Sequence, residues 1–144
     1  PERITAAVRK IHDFVTVGAA SPLQEAAVTA LSYDQNYYEE LRNVYATKRD
    51  FFLKGLDKLG LTYSKPQGAY YVLVDISKYG FDNDIAFCEW MAQHVGVAAV
   101  PGSSFFKNNV NHLIRFHFAK HLNTLSEALK RLENLEVKAK TLLR

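Results

Sequence analysis

Apolar positions recur along this chain at two spacings, three to four residues in some stretches and two in others, and the changes of period mark its elements. Over residues 2–13, Ile4, Ala7, Val8 and Ile11 share one side and Arg3, Arg9 and Lys10 the other, which predicts an amphipathic helix. Phe14-Val15-Thr16-Val17-Gly18-Ala19-Ala20 is apolar but irregular and reads as a connector. Ser21-Pro22-Leu23-Gln24 predicts a new helix running to about Ser32, with serine as cap, proline at the first helical position and glutamine completing a capping box. Asp34 is placed to cap a third helix, in which Tyr37, Leu41, Val44, Tyr45, Phe52, Leu56 and Leu59 repeat until Gly60 ends it.

Beyond Gly60 the period shortens. Leu61-Thr62-Tyr63 is a short strand candidate, and Lys65-Pro66-Gln67-Gly68 is a turn. Ala69-Tyr70-Tyr71-Val72-Leu73-Val74-Asp75-Ile76 then runs almost without polar relief, the pattern of a central strand buried on both faces. Asp82 or Asn83 caps a fourth helix to about His94, with Gly96 at its exit. Val97-Ala98-Ala99-Val100 reads as a strand stopped by Pro101-Gly102-Ser103-Ser104, after which Phe105-Phe106 and a polar loop lead to His112-Leu113-Ile114-Arg115-Phe116-His117-Phe118-Ala119. Alternation there puts Ile114, Phe116 and Phe118 on one face and Leu113, Arg115 and His117 on the other. Thr124 with Glu127 forms a second capping box, opening one closing helix along Leu125, Ala128, Leu129, Leu132 and Leu135. The fold class expected is α/β of the α+β type: a small, partly antiparallel sheet of about four strands with helices packed against it.

With 144 residues, 48% of them hydrophobic, residues 1–144 are expected to form a single domain. A formal charge of +3, with 15 acids interleaved among the bases, does not imply nucleic acid as a partner. The single cysteine rules out an intrachain disulfide framework and suits a reducing compartment. Cys88 repeats with Ile85, Met91 and Ala92 at helical spacing and reads as a buried structural thiol. No apolar run approaches the ~20 residues needed to cross a bilayer, so no membrane is expected and the location read from the sequence is cytoplasmic. The chain opens on Pro1-Glu2-Arg3-Ile4, at a helical first turn and without an initiator methionine, as an excised piece of a longer protein would.

Candidate chemistry centres on Arg115. An unpaired charge amid apolar neighbours is costly, and a planar guanidinium fork matches a carboxylate bidentately. Arg115 is therefore half of an internal ion pair, a side chain snorkelling from a sheet edge, or a ligand clamp. Other chemistry is thinner. Neither G-x-G-x-x-G nor G-x-x-x-x-G-K-[ST] occurs. His117 and His121 straddle a strand and its exit instead of sharing a helix face, so no metal site is read there. Ser103 and Ser104 lack a His/acid pairing at any spacing that would activate them. The eight tyrosines fall mostly at core-like positions, and Tyr70 and Tyr71, after Gly68, read as core.

Taken in order, Pro66-Gln67-Gly68-Ala69-Tyr70-Tyr71, Val97-Ala98-Ala99-Val100-Pro101-Gly102-Ser103-Ser104-Phe105 and Leu113-Ile114-Arg115-Phe116-His117-Phe118-Ala119 resemble successive landmarks in the C-terminal part of fold-type I, class I and II aminotransferases, which use pyridoxal 5'-phosphate. Ser21-Pro22-Leu23-Gln24-Glu25-Ala26-Ala27 resembles the helix start that follows their lysine-bearing segment. The resemblance implies an enzyme that transfers an amino group between an amino acid and a 2-oxo acid, as a homodimer. It assigns Arg115 to the substrate α-carboxylate, makes Tyr70 a substrate-pocket residue, and puts Gly18 and Ala19 on a loop toward the partner subunit's active site. It further implies that helices 1–60 bridge toward a large domain absent from this chain, with residues 61–144 forming the sheet-containing small domain. The segment S-K-x-[FY]-x-x-x-[GP]-x-R, which carries the family's Schiff-base lysine, does not occur, so no catalytic residue is assigned and this chain alone is expected to be inactive. Two alternatives stand beside transamination: a non-catalytic oligomerisation or binding module, and another pyridoxal-phosphate reaction on the same fold, a lyase or synthase.

Overall fold

The computed structural model describes residues 1–15 and 18–142 and divides into two compact units, Pro1–Glu40 and Leu41–Arg144. The first holds helix α1 (Glu2–Val15), helix α2 (Ser21–Leu31) and the opening turns of α3 (Gln35–Lys58). Thr16 and Val17 of the predicted connector lie outside the described residues. The α1 stripe forms as expected, yet Ile4, Val8 and Ile11 stay 60%, 56% and 65% exposed. The start of α2 is corrected by one residue. Ala20 is the cap and Ser21 the first helical residue, with no side-chain cap, while Gln24 Nε2 reaches back to donate to the Ala19 carbonyl at 2.7 Å. Proline is tolerated throughout a first turn, whose N–H groups are orphaned in any case, so Pro22 does not distinguish the two starts. Asp34 Oδ1 does cap α3, accepting from the Tyr37 N–H at 3.1 Å.

The second unit is a four-stranded sheet with helices on one face. Strands β1 (Tyr63–Ser64), β2 (Tyr71–Asp75), β3 (Val100–Pro101) and β4 (Leu113–His117) lie in the order β1-β2-β4-β3, every pairing antiparallel. Val72 and Val74 of β2 join Ile114 and Phe116 of β4 on the buried face. They meet Phe52 and Leu56 of α3, Phe87 and Met91 of α4 (Asp84–His94), and Leu125 and Leu132 of α5 (Leu122–Leu132). Leu135 and Ala139 of α6 (Leu135–Leu142) complete this core. Asn83 caps α4 by accepting from the Ala86 N–H at 2.9 Å, and Gly96 leaves it at φ +75°, as the sequence pattern requires.

Five expectations change. The β2 run is central in the sheet but buried on one face only, with Tyr71, Leu73 and Asp75 half-buried, because the helices of this unit cover a single side. The Val97 strand shortens to two residues. The closing helix is two helices that break at Glu133 and Asn134, so Leu132 and Leu135 are both buried across a bend. Thr124 is no cap: α5 begins at Leu122 behind His121, and Glu127 pairs with Arg131 at 2.8 Å one turn on. Among the tyrosines, Tyr79 is in the core, whereas Tyr33, Tyr37, Tyr38 and Tyr70 are exposed. No helix among the described residues is long and apolar enough to cross a membrane.

Candidate functional site

The uncovered sheet face carries the chemistry. Directly paired residues of antiparallel strands point to the same side, so Leu73 opposite Arg115, and Tyr71 opposite His117, put Tyr71 diagonal to Arg115. Long side chains span that diagonal: Arg115 Cζ lies 4.1 Å from the Tyr71 ring centroid. A second ring, Phe105, covers the guanidinium at 3.8 Å from the turn Gly102–Phe105 that follows β3. Each of these ring contacts contributes about 0.5–1 kcal/mol at exposed sites, and the guanidinium keeps five N–H donors with which to meet an acceptor. Half-buried, Arg115 forms no ion pair with any described acid. Among the described residues, then, no internal ion pair accounts for Arg115.

Tyr70 joins the same row of rings. It tilts against Tyr71 at 4.4 Å between centroids and stacks on Tyr45 of α3 at 5.9 Å and 26°. Its phenol keeps its proton above the ordinary range, first through hydrogen bonding with Tyr71, then through the charge of Tyr71, burial and Tyr45, while the Arg115 charge pulls the other way. A neutral phenol beside a cation is a hydrogen-bond donor at neutral pH. Ala69, immediately before Tyr70, sits at φ +55°, a left-handed backbone that costs an L-residue roughly 1–2 kcal/mol and sets the direction in which Tyr70 leaves the turn.

Of the residues singled out from the sequence, Arg115 and Tyr70 are brought together through Tyr71. Gly18 and Ala19 lie in the other unit, exposed between α1 and α2. Phe105 was missed as a site residue, although an aromatic pair after Pro101-Gly102-Ser103-Ser104 in an otherwise polar loop was a signal of it. Asp84 was missed as well. It is the buried charged side chain among the described residues, 1% exposed, and its carboxylate accepts from the Ser103 N–H at 2.6 Å. The sequence stripe had Ile85 on the buried side of α4, but Ile85 is 52% exposed and the core face runs through Asp84, Phe87, Cys88 and Met91. A cavity of about 700 Å³ between Phe52, Val97, Phe116, Lys120, Thr124 and Arg131 does not include Arg115 or Tyr70. No group of three His, Cys, Asp or Glu among the described residues is placed to hold a metal ion.

The family model for aminotransferase class I and II matches residues 1–132. The chain belongs to that family. It is 37% identical over 136 residues to the methionine aminotransferase of Escherichia coli, covering 94% of this chain and 35% of that protein. Among solved structures, the N-succinyldiaminopimelate aminotransferase of Mycobacterium tuberculosis superposes with a TM-score of 0.74 at 34% identity, over 94% of this chain and 36% of that one. The substrate-bound BacF structure from Bacillus subtilis does so at 0.74 and 32%, over 94% and 34%. This aminotransferase chain thus spans about a third of the length of the relatives it matches.

The family's cofactor is pyridoxal 5'-phosphate, an aldehyde and a phosphate ester on one ring; holding it needs an amine and several converging phosphate donors. The Arg115 row does not supply them: its groups are a guanidinium, three phenols and a phenyl ring, and Lys48 Nζ reaches only the outermost ring, Tyr45, at 5.6 Å. The described residues of this site fit a carboxylate and do not fit the cofactor.

Proposed function

We propose that this chain is the C-terminal, carboxylate-gripping part of a pyridoxal-phosphate-dependent aminotransferase that moves an amino group between an amino acid and a 2-oxo acid. The observation that carries this reading is the Arg115 guanidinium, in contact with the Tyr71 and Phe105 rings on the uncovered sheet face and without an ion pair among the described residues. Both substrate types bear a carboxylate next to the reacting carbon, so one clamp serves both half-reactions. Pyridoxal 5'-phosphate would be held by residues outside this site and, bound there, would supply an electron sink for the bond beside the carboxylate. Arg115 orients that bond; Tyr70, protonated at neutral pH, offers a donor to the substrate beside it.

In the same reading the parent protein is a cytoplasmic homodimer, with the exposed, small residues Gly18 and Ala19 on a loop toward the partner's active site. The exposed stripe of Ile4, Val8, Ile11 and Val15 favours burial of the first unit against the rest of the parent protein, the bridging role expected of residues 1–60. The reaction test uses the full-length protein: cofactor absorbance, then stoichiometric formation of a 2-oxo acid from an amino acid as a second oxo acid is aminated. Arg115→Ala removes a charge-assisted bidentate contact of about 1.5–3 kcal/mol and should lower kcat/KM about 10- to 150-fold. A full-length protein without cofactor or amino transfer refutes the function; an undiminished Arg115→Ala refutes the clamp alone.

A further inference from the structure

We infer that Asp84 is a positioning residue for Arg115, acting through the turn Gly102–Phe105 to hold the Phe105 ring over the guanidinium. The inference rests on Arg115 as the substrate-carboxylate clamp. Phe105 is 47% exposed, and Ser104 and Phe106 beside it are exposed too, so burial does not fix that ring. Two backbone anchors upstream of it do. At Gly102 the chain lies so close to β4 that an added Cβ would sit 2.5 Å from the Leu113 carbonyl oxygen. At Ser103 the N–H donates to the Asp84 carboxylate, 19 residues earlier in the chain, at 2.6 Å. A charged acceptor makes this a stronger bond than a neutral pair, and its burial at 1% exposure keeps water from competing for the donor.

Asp84 itself is held rigidly. It stands in the first turn of α4, where a negative charge is favoured by the helix dipole, on the core face that includes Phe87 and Met91, each fully buried. Its placement there has no packing benefit that an apolar residue would not match, and burying a charge is costly without a bonded partner. The bonded partner is the turn that carries Phe105. With that anchor cut, Phe105 leaves its 3.8 Å station, Arg115 retains only the Tyr71 ring contact, and the guanidinium gains rotational freedom that substrate binding must remove.

The test uses the full-length enzyme with four variants: Asp84→Ala, Asp84→Asn, Phe105→Leu and Asp84→Ala combined with Phe105→Leu, with Arg115→Ala as reference. Asp84→Ala should raise KM for the amino acid and for the oxo acid in parallel, about two- to fivefold, the equivalent of one exposed cation–π contact, with kcat little changed. Affinity for the plain carboxylates hexanoate and 3-phenylpropionate, read by calorimetry, should fall by the same factor, while cofactor affinity stays constant. Asp84→Asn, whose side-chain oxygen still accepts from Ser103, should restore most of the loss. Phe105→Leu should match Asp84→Ala, and the double variant should be no worse than either, since both remove the same contact. Faster amide exchange over residues 102–106 should accompany Asp84→Ala. An Asp84→Ala enzyme that melts lower but keeps wild-type KM and carboxylate affinity overturns the inference, as does an additive double variant. If Arg115→Ala leaves KM and carboxylate binding unchanged, the clamp itself fails; if it does not and Asp84→Ala is silent, only the positioning role fails.

Discussion

Gly102→Ala is the sharpest probe of how the site is built. The added Cβ would meet the Leu113 carbonyl oxygen at 2.5 Å, its Cβ at 2.9 Å and its carbonyl carbon at 3.0 Å. Carbon–oxygen contacts in proteins close to about 3.3 Å, so something must move by about 0.8 Å. The obstacle is strand backbone, one residue from the Pro101–Ile114 pair and two from Val100–Arg115, and it cannot yield without loosening that ladder. Overpacking of this kind costs about 1–3 kcal/mol. Gly68→Ala is the matched control: nothing lies within 4 Å of its added Cβ, and its φ is not in the left-handed region. There the change should be neutral or stabilising by about 0.4–1 kcal/mol, through the unfolded chain. Urea unfolding of both variants, read as midpoint shifts at constant slope, separates the two cases. A Gly102→Ala midpoint within about 0.5 kcal/mol of wild type would show that the turn is not seated on β4, and with it the first anchor of Phe105 would be lost.

Three further outcomes follow. Ala69→Gly should stabilise the protein by about 0.5–1 kcal/mol in thermal unfolding, because relief of the left-handed strain at φ +55° exceeds the entropy cost of glycine; destabilisation would mean the backbone there is not strained. Cys88, buried and with its thiol pushed up to about 11 first by burial and then by the Asp84 charge, should resist a disulfide-exchange reagent at pH 8 until denaturant is added. Because its folded-state value lies above the ordinary 9.0, its contribution to stability is whole below pH 9 and is lost as pH rises toward 11, a loss that Cys88→Val should remove.

Legibility in the sequence followed the range of the interaction. Local periodicity placed the helices, the caps at Asp34 and Asn83, and the face of Ile114, Phe116 and Phe118, because each depends on neighbours within a turn or on alternate residues of one strand. The one-sided burial of β2 did not follow from its apolar run, since Tyr71 and Leu73 are large and apolar whether they meet a helix or a ligand. The capping box at Thr124 failed for a related reason: Glu127 had a better partner in Arg131, four residues on, than the backbone of the turn before it.

Long-range polar contacts leave the weakest trace. Ser103 contributes to the Asp84 bond through its backbone N–H, which every residue but proline possesses, so no side-chain pattern marks the pairing. Asp84 likewise hides among acids and amides at a helix start, where Asp82 and Asn83 are equally plausible caps. Arg115 was visible because a cation in an alternating strand is chemically out of place; what keeps it in place is spread over Tyr71, Phe105 and a backbone turn. A residue as out of place as Arg115 can therefore be read from its own anomaly, whereas the contacts around it become apparent once β3, the turn and α4 are seen to converge on one strand.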